Sequence, residues 1–358
     1  MRPPSALRAA PYTTAMSTDL VAAAARPTGL TAEEAQQALD AITGARLTVE
    51  QGADLLVAMR QRGETAVELS TFVRGLVAKA LPVDLGRPVM DVVGTGGSGR
   101  ARYNASTTAC FVLAAAGVPV AKHGNRGSNH ANGSFDLLEA LGIPFQPAAG
   151  GHRRLIDDTG LCFIFARQAH PAIGAAAPFR KLAAARVPGT IFNLAGPLSN
   201  PARPASLLMG CARTAQGPLL ADTLRLLGTR RSLVACGHPG IDEVSVTGPT
   251  SVWEVTAQGA TASELPAPAE PAPETAVTGG DCTANAATFH RLLGGVERGP
   301  LLEFVAANAG TALAIWRGLP AQDAACRAEA REIIVSGRAK AAFERHRSAA
   351  RLLAGLAD

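Results

Sequence analysis

The sequence predicts an α/β protein, in which a small N-terminal helical domain precedes a larger mixed α/β domain with a central sheet flanked by helices. Three observations carry that prediction. Three helix-capping boxes follow one another before residue 70, and two glycine-rich turns each lie between an apolar strand-like run and a helix start. The composition is the third: among 358 residues 47% are hydrophobic but only 4% aromatic, enough for a large core built from Ala, Leu and Val.

Residues 1–29 are expected to form a disordered extension. The stretch from Met1 to Ala25 carries Arg2 and Arg8 but no apolar segment suited to a signal peptide, and Met16 is an alternative start. The helical domain is placed over residues 30–84, open to completion by later helices. Thr31 with Glu34, Thr48 with Gln51 and Thr65 with Glu68 form the capping boxes. Leu39 and Ile42 follow the first. Leu55, Leu56 and Met59 follow the second; Val67, Leu69, Val73, Leu76 and Val77 follow the third. Gly44 and Gly63 end the first two helices, and Pro82 to Pro88 leads into the α/β domain over 85–358.

The segment from Asp91 to Gly142 is the richest in chemistry. Asp91-Val92-Val93 reads as a strand running into Gly94-Thr95-Gly96-Gly97-Ser98-Gly99, and Asn104 or Ser106 can cap the helix that follows. Gly117 stops that helix. Pro119-Val120-Ala121 reads as a second strand, which brings Lys122, His123, Gly124, Asn125 and Arg126 to its C-terminal edge; Ser134 can cap the next helix. Glycines let backbone N–H groups approach phosphate oxygens, and a helix N-terminus adds a favourable dipole. Gly99 is followed by Arg100 rather than by Lys and Ser or Thr, so the first turn is not a P-loop. Two such edges side by side suit a ligand with phosphates at both ends.

Beyond residue 142 the pattern is thinner. Leu233 to Cys236 and Val252 to Val255 read as strands, Leu265 to Glu274 (LPAPAEPAPE) as an extended surface connection, and a helix is expected near Thr283. Six cysteines without C-x-x-C spacing read as free thiols in a reducing compartment. A net charge of +5 with no basic tract argues against nucleic-acid binding, and no apolar run reaches the 18 residues or so of a membrane span.

These residues resemble a known family. GTGGSG, NAST, AKHGNRG and GSFDLLEALG are similar to the signature of anthranilate phosphoribosyltransferases, which share a fold with pyrimidine nucleoside phosphorylases. Further blocks follow in the family's order: Phe165-Ala166-Arg167, His170-Pro171-Ala172, Ala177-Pro178-Phe179-Arg180, Thr190 to Pro201, Ile241-Asp242-Glu243, and the segment from Asn285 to Ala339. The resemblance covers roughly residues 30–346. It implies Mg2+-dependent transfer of a phosphoribosyl group from phosphoribosyl pyrophosphate to anthranilate or a similar aromatic amine, by a cytoplasmic homodimer.

Position by position, the resemblance implies a phosphoribosyl pyrophosphate site of Gly94, Thr95, Gly96, Gly97, Ser98, Arg102, Asn104, Ser106, Thr107, Lys122 and Ser134. Gly94, Asn125 and Arg180 would meet anthranilate, and Ser106, Asp242 and Glu243 would bind the metal. Lys122, His123 and His130 are the implied catalytic residues. The chain departs from the family at Ser98, where an aspartate is usual, at Arg102 in place of a small hydroxyl residue, and at Asn129-His130 in place of two serines. It is also longer by a few residues between Arg180 and Asn193. These departures leave two alternatives open: a related transferase with another aromatic acceptor, and a pyrimidine nucleoside phosphorylase-like enzyme. The spacing Arg126-Gly127-x-x-His130 resembles that second family.

Overall fold

The computed structural model describes residues 14–96, 99, 102–127 and 132–356. They fall into two compact units, one of residues up to Lys79 together with His170–Ala195, the other of Ala80–Ala169 and Gly196 onward.

The helical unit holds α1 (Thr14–Ala24), α2 (Ala32–Thr43), α3 (Val49–Arg62) and α4 (Ala66–Ala78). All three capping boxes form. The side-chain oxygens of Thr31, Thr48 and Thr65 each accept from the backbone N–H three residues on, at 3.2 Å in every case. Glu34, Gln51 and Glu68 accept in return from the capping residues' own N–H groups at 2.8, 3.0 and 2.7 Å. Each cap contributes about 1 kcal/mol. Leu39, Ile42, Leu55, Leu56, Met59, Leu69 and Leu76 are buried, whereas Val67 lies 42% exposed on the outer face of α4.

Two boundaries differ from the sequence-based ones. The extension drawn over residues 1–29 contains α1, whose Leu20, Ala23 and Ala24 are buried, and Arg62 Nε donates to Ala24 O at 2.9 Å. Apolar burial and this long-range hydrogen bond order a segment with little pattern of its own. Residues 170–195, inside the span given to the α/β domain, are the later helices that complete the helical unit, a possibility that the sequence reading leaves open. There the helix Ala177–Ala184 places Phe179 against α3 at Gly52, where an added Cβ would lie 2.6 Å from the ring. Phe192 packs edge-on against Phe72 of α4.

The second unit is built on seven strands: β1 (Met90–Gly94), β2 (Val120–Gly124), β3 (Leu161–Phe165), β4 (Ser206–Gly210), β5 (Arg231–Gly237), β6 (Thr250–Thr256) and β7 (Gly259–Leu265). Their order is β3-β2-β1-β4-β5-β6-β7. The first five are parallel; β6 and β7 add antiparallel. Strands buried on both faces need continuous apolar runs, and Leu161-Cys162-Phe163-Ile164-Phe165 is such a run. Helix α5 (Ala105–Ala115) crosses from β1 to β2, and α6 (Ser134–Ala140) follows β2. Phe111 of α5 centres an aromatic cluster with Phe163, Phe289 and Phe343. All six cysteines are free, five of them buried. Leu265, first residue of the proline-rich stretch, is the last of β7.

Two capping expectations are corrected. Asn104 occupies the N-cap position of α5 without a side-chain cap bond, because its amide is committed to Asn132 O at 3.1 Å and its carbonyl accepts from Asn285 Nδ2 at 2.8 Å. Ser134 is the first residue of α6, not its cap. Gly133 holds that position, and Asp136 Oδ2 accepts from both Gly133 N and Gly127 N at 2.8 Å.

Candidate active site

The C-terminal ends of the parallel strands carry the chemistry, as open α/β sheets dispose it. β1 ends in Gly94, and Thr95 N donates to Gly210 O of β4 at 2.9 Å. Across these two ends lies the Ile241-Asp242-Glu243 turn, anchored by reciprocal backbone hydrogen bonds between Gly237 and Ile241. The approach leaves no room for side chains. A Cβ on Gly94 would fall 2.2 Å from Asp242 Oδ2, and one on Gly210 1.6 Å from Asp242 O. Gly96, at φ 64°, turns its N–H to Asp242 Oδ2 at 2.8 Å. The glycine-rich turn and the acidic pair are therefore one assembly.

Lys122 and His123 are strand residues, 3% and 2% exposed, not solvated strand-end groups. Lys122 Nζ donates to Val92 O at 2.5 Å and lies 3.4 Å from Ser106 Oγ, at the start of α5. The His123 N–H faces both carboxylate oxygens of Asp91 at 3.3 and 3.4 Å. Burial pushes the Asp91 carboxyl up to about 6, against the opposing influence of the Lys122 charge, the Asn200 amide and the His123 N–H.

Asp242 and Glu243 converge on Arg102. Arg102 Nη2 stands 2.7 Å from Asp242 Oδ1 and its Nε 3.1 Å from Glu243 Oε2, with all three side chains largely buried. Burial first, and the Asp242 charge second, push Glu243 up to about 8, while Arg102 and Lys122 act the other way. Two adjacent carboxylates meeting one cation are a donor set that fits a hard divalent ion, completed by substrate oxygens and water. Among the described residues no cluster of three or more His, Cys, Asp or Glu offers a closed metal cage. Ser106, also expected to ligate the metal, has Lys122 as its partner in this arrangement.

Of the remaining expected residues, Thr95 Oγ1 donates to Gly96 O at 3.2 Å. Thr107 is 1% exposed, and its hydroxyl has no hydrogen-bond partner among the described residues. Ser134 Oγ donates to Asn125 O at 3.3 Å and covers Gly124, whose added Cβ would meet it at 2.4 Å. Asn125 Oδ1 accepts from Arg126 N at 2.9 Å. Gly97, Ser98 and His130, with Asn129, lie outside the described residues. Arg180 belongs to the helical unit, its guanidinium 5.6 Å from the Phe192 ring centroid, and burial lowers its pKa. Sequence reasoning did not single out Asp91, Asn132, Asn200 or Asn285. Asn285 Nδ2 donates to the side-chain oxygens of both Asn104 and Asn132, at 2.8 and 2.7 Å. The one available signal was the presence of Asn200 and Asn285 in blocks of the family resemblance.

Residues 86–340 match the a/b domain of a glycosyl transferase family, and residues 10–80 match its helical bundle domain. A protein named anthranilate phosphoribosyltransferase from Roseiflexus castenholzii (strain DSM 13941 / HLO8) is 39% identical over 322 residues, spanning 88% of this chain and 93% of its own length. Another so named, from Thermomicrobium roseum (strain ATCC 27502 / DSM 5159 / P-2), is 41% identical over 78% of this chain and 82% of its own. The chain belongs to the anthranilate phosphoribosyltransferase family.

The solved anthranilate phosphoribosyltransferase of Thermus thermophilus has the same fold, with a TM-score of 0.84 at 38% identity over 93% of this chain and 99% of its own. The Saccharomyces cerevisiae enzyme, solved in complex with PRPP and Mg, agrees in fold alone, with a TM-score of 0.85 at 23% identity over 95% of this chain and 99% of its own. The match of residues 10–80 to the family's helical bundle agrees with the burial of α1. Arg102 thus grips the acidic pair of this chain.

Proposed function

We propose that the protein transfers the phosphoribosyl group of phosphoribosyl pyrophosphate to the amine of anthranilate, with Mg2+, releasing pyrophosphate as a step of tryptophan biosynthesis. The bond from ribose C1 to the pyrophosphate oxygen breaks, the bond from C1 to nitrogen forms, and the amine gives up a proton. The expected transition state is oxocarbenium-like beside a heavily charged leaving group, so the protein's work is positioning and charge stabilisation. One observation carries this reading: the Gly94–Gly96 turn, buried Lys122 and the Asp242–Glu243 pair share one edge of the sheet.

In this reading the backbone of Gly94 to Gly96 and the start of α5 receive the diphosphate, with Asn104 and Ser106 at the helix entrance. Lys122 supplies a fixed positive charge in a setting of low polarity, where it acts more strongly than in water. Held by Asp242 and Glu243, Mg2+ would neutralise pyrophosphate oxygens. Asn125 would hydrogen-bond the acceptor, and the resemblance of the sequence assigns the acceptor's carboxylate to Arg180. Supporting the acceptor assignment is the name shared by the relatives from Roseiflexus castenholzii and Thermomicrobium roseum, each matched over more than three quarters of the chain. Anthranilate, other aromatic amines, and pyrimidine nucleosides with phosphate should be compared as substrates. Anthranilate is expected to give by far the highest kcat/KM, and a preference for another acceptor would reassign the function.

The homodimer and the cytoplasmic location belong to the same proposal. Among the described residues no helix is long and apolar enough to cross a membrane. Sedimentation of the purified protein as a monomer at micromolar concentration would contradict the dimer.

A further inference from the structure

Arg102 is held as firmly at its backbone as at its guanidinium. It forms an isolated antiparallel bridge with Thr278, and its carbonyl accepts from Asn132 Nδ2 at 3.0 Å. The next residue, Tyr103, donates its N–H to Val277 O at 3.2 Å. Gly279 lies so close that an added Cβ would fall 2.2 Å from Arg102 O. The side chain, 9% exposed, leaves this clamp and places one nitrogen on each carboxylate of the acidic pair. Asp242 also has Gly96 N on its other oxygen, so the guanidinium, the acidic pair and the glycine-rich turn form a single polar network.

An acidic pair drawn together and largely removed from water is ionised more readily with a positive charge beside it. In this chain Arg102 provides it from within. A divalent ion approaching Asp242 and Glu243 would need the oxygens that Arg102 now holds, and guanidinium and metal beside each other would repel. We propose that Arg102 is a built-in counter-ion that occupies the metal position of the Asp242–Glu243 pair and competes with the divalent cation for it. Metal entry therefore requires the guanidinium to swing off the pair, which frees it for the anionic substrate that arrives with the metal. This rests on the reading of Asp242 and Glu243 as the Mg2+ ligands, and it assigns to one residue of this chain the control of metal affinity.

The test is direct cation binding without substrate, using Mn2+ as the probe and electron paramagnetic resonance to count free ion. Wild type, Arg102→Ser, Arg102→Gln and Arg102→Lys are titrated, with circular dichroism to confirm folding. The neutral variants are expected to bind Mn2+ about tenfold more tightly than wild type or more, and Arg102→Lys to stay near wild type. In chelator the neutral variants should melt below wild type, and Mn2+ should restore them. Folded neutral variants whose Mn2+ affinity equals that of wild type would overturn the proposal, as would tightening of Arg102→Lys to the same extent. Because the titration needs neither anthranilate nor turnover, its outcome is independent of the identity of the reaction.

Discussion

Asn200 Nδ2 donates both to Asp91 Oδ2 and to Ala121 O, at 2.8 Å each, and so ties β1 to β2 from 109 residues away in sequence. These two strands pair directly only at Met90 and Val120. Beyond that point the buried Asp91 carboxylate, receiving the His123 N–H, takes over the role of a ladder partner, and Lys122 reaches Val92 O. The strands that carry the two glycine-rich turns are thus joined by side chains where backbone pairing ends.

Asn200→Ala should therefore destabilise the protein by about 1–3 kcal/mol, because a buried carboxylate loses its side-chain donor and a buried carbonyl its partner. Urea denaturation checks this. A loss below about 0.5 kcal/mol, the size of an ordinary surface change, would remove Asn200 from this role.

Arg180→Ala should raise KM for anthranilate about tenfold or more, the value of a charge-assisted hydrogen bond, and leave KM for phosphoribosyl pyrophosphate nearly unchanged. Arg180→Lys should recover little, since an ammonium neither pairs with a carboxylate through two parallel bonds nor stacks on Phe192 in the same way. Equal losses for both substrates in steady-state kinetics would take Arg180 out of the acceptor site.

Asp242→Asn combined with Glu243→Gln should raise the Mg2+ concentration for half-maximal activity about tenfold or more. Activity titrated with Mg2+ at saturating substrates reads this directly. An unchanged requirement would exclude the pair as metal ligands.

His346 gives the fold an acid-sensitive point remote from the site residues in sequence. It is buried between Phe111 and Phe163, and its Nδ1 lies 3.0 Å from Thr159 Oγ1. Thr159 Oγ1 lies 2.7 Å from Leu155 O, an acceptor for its single proton, so His346 Nδ1–H donates to the hydroxyl. Burial, and secondarily the Arg345 charge, lower the imidazole to about 3. A folded-state value below the unfolded one means that the stability is fully present above about pH 6.5 and is lost as pH falls. Wild type should lose about 2 kcal/mol from this group between pH 6.5 and 5, and His346→Leu should lose much less over that interval. Parallel stability curves for the two proteins would contradict the assignment.

The sequence was most legible where the physics is local. A threonine three residues before a glutamate or glutamine needs only one turn of chain to form its reciprocal bonds, and all three such boxes formed as expected. The strands at Asp91 and Val120 were visible for a similar reason, each being an apolar run that breaks into glycine. β7, Gly-Ala-Thr-Ala-Ser-Glu-Leu, has no apolar run because it is an outer strand, and pairing with β6 alone defines it. The return of residues 170–195 to the helical unit depends on Phe179 meeting Gly52, a contact between distant segments. Arg102 was placed in the donor loop from its position, but its partners lie 140 residues and more along the chain. Only the folded sheet brings them together.

The most direct measurement mixes purified protein with phosphoribosyl pyrophosphate, Mg2+ and anthranilate, and follows anthranilate fluorescence and pyrophosphate in the same reaction. Fluorescence is expected to fall as pyrophosphate appears, one molecule released for each anthranilate consumed. Folded protein that leaves anthranilate untouched across the full range of Mg2+ concentrations, or releases pyrophosphate without consuming it, would contradict the account.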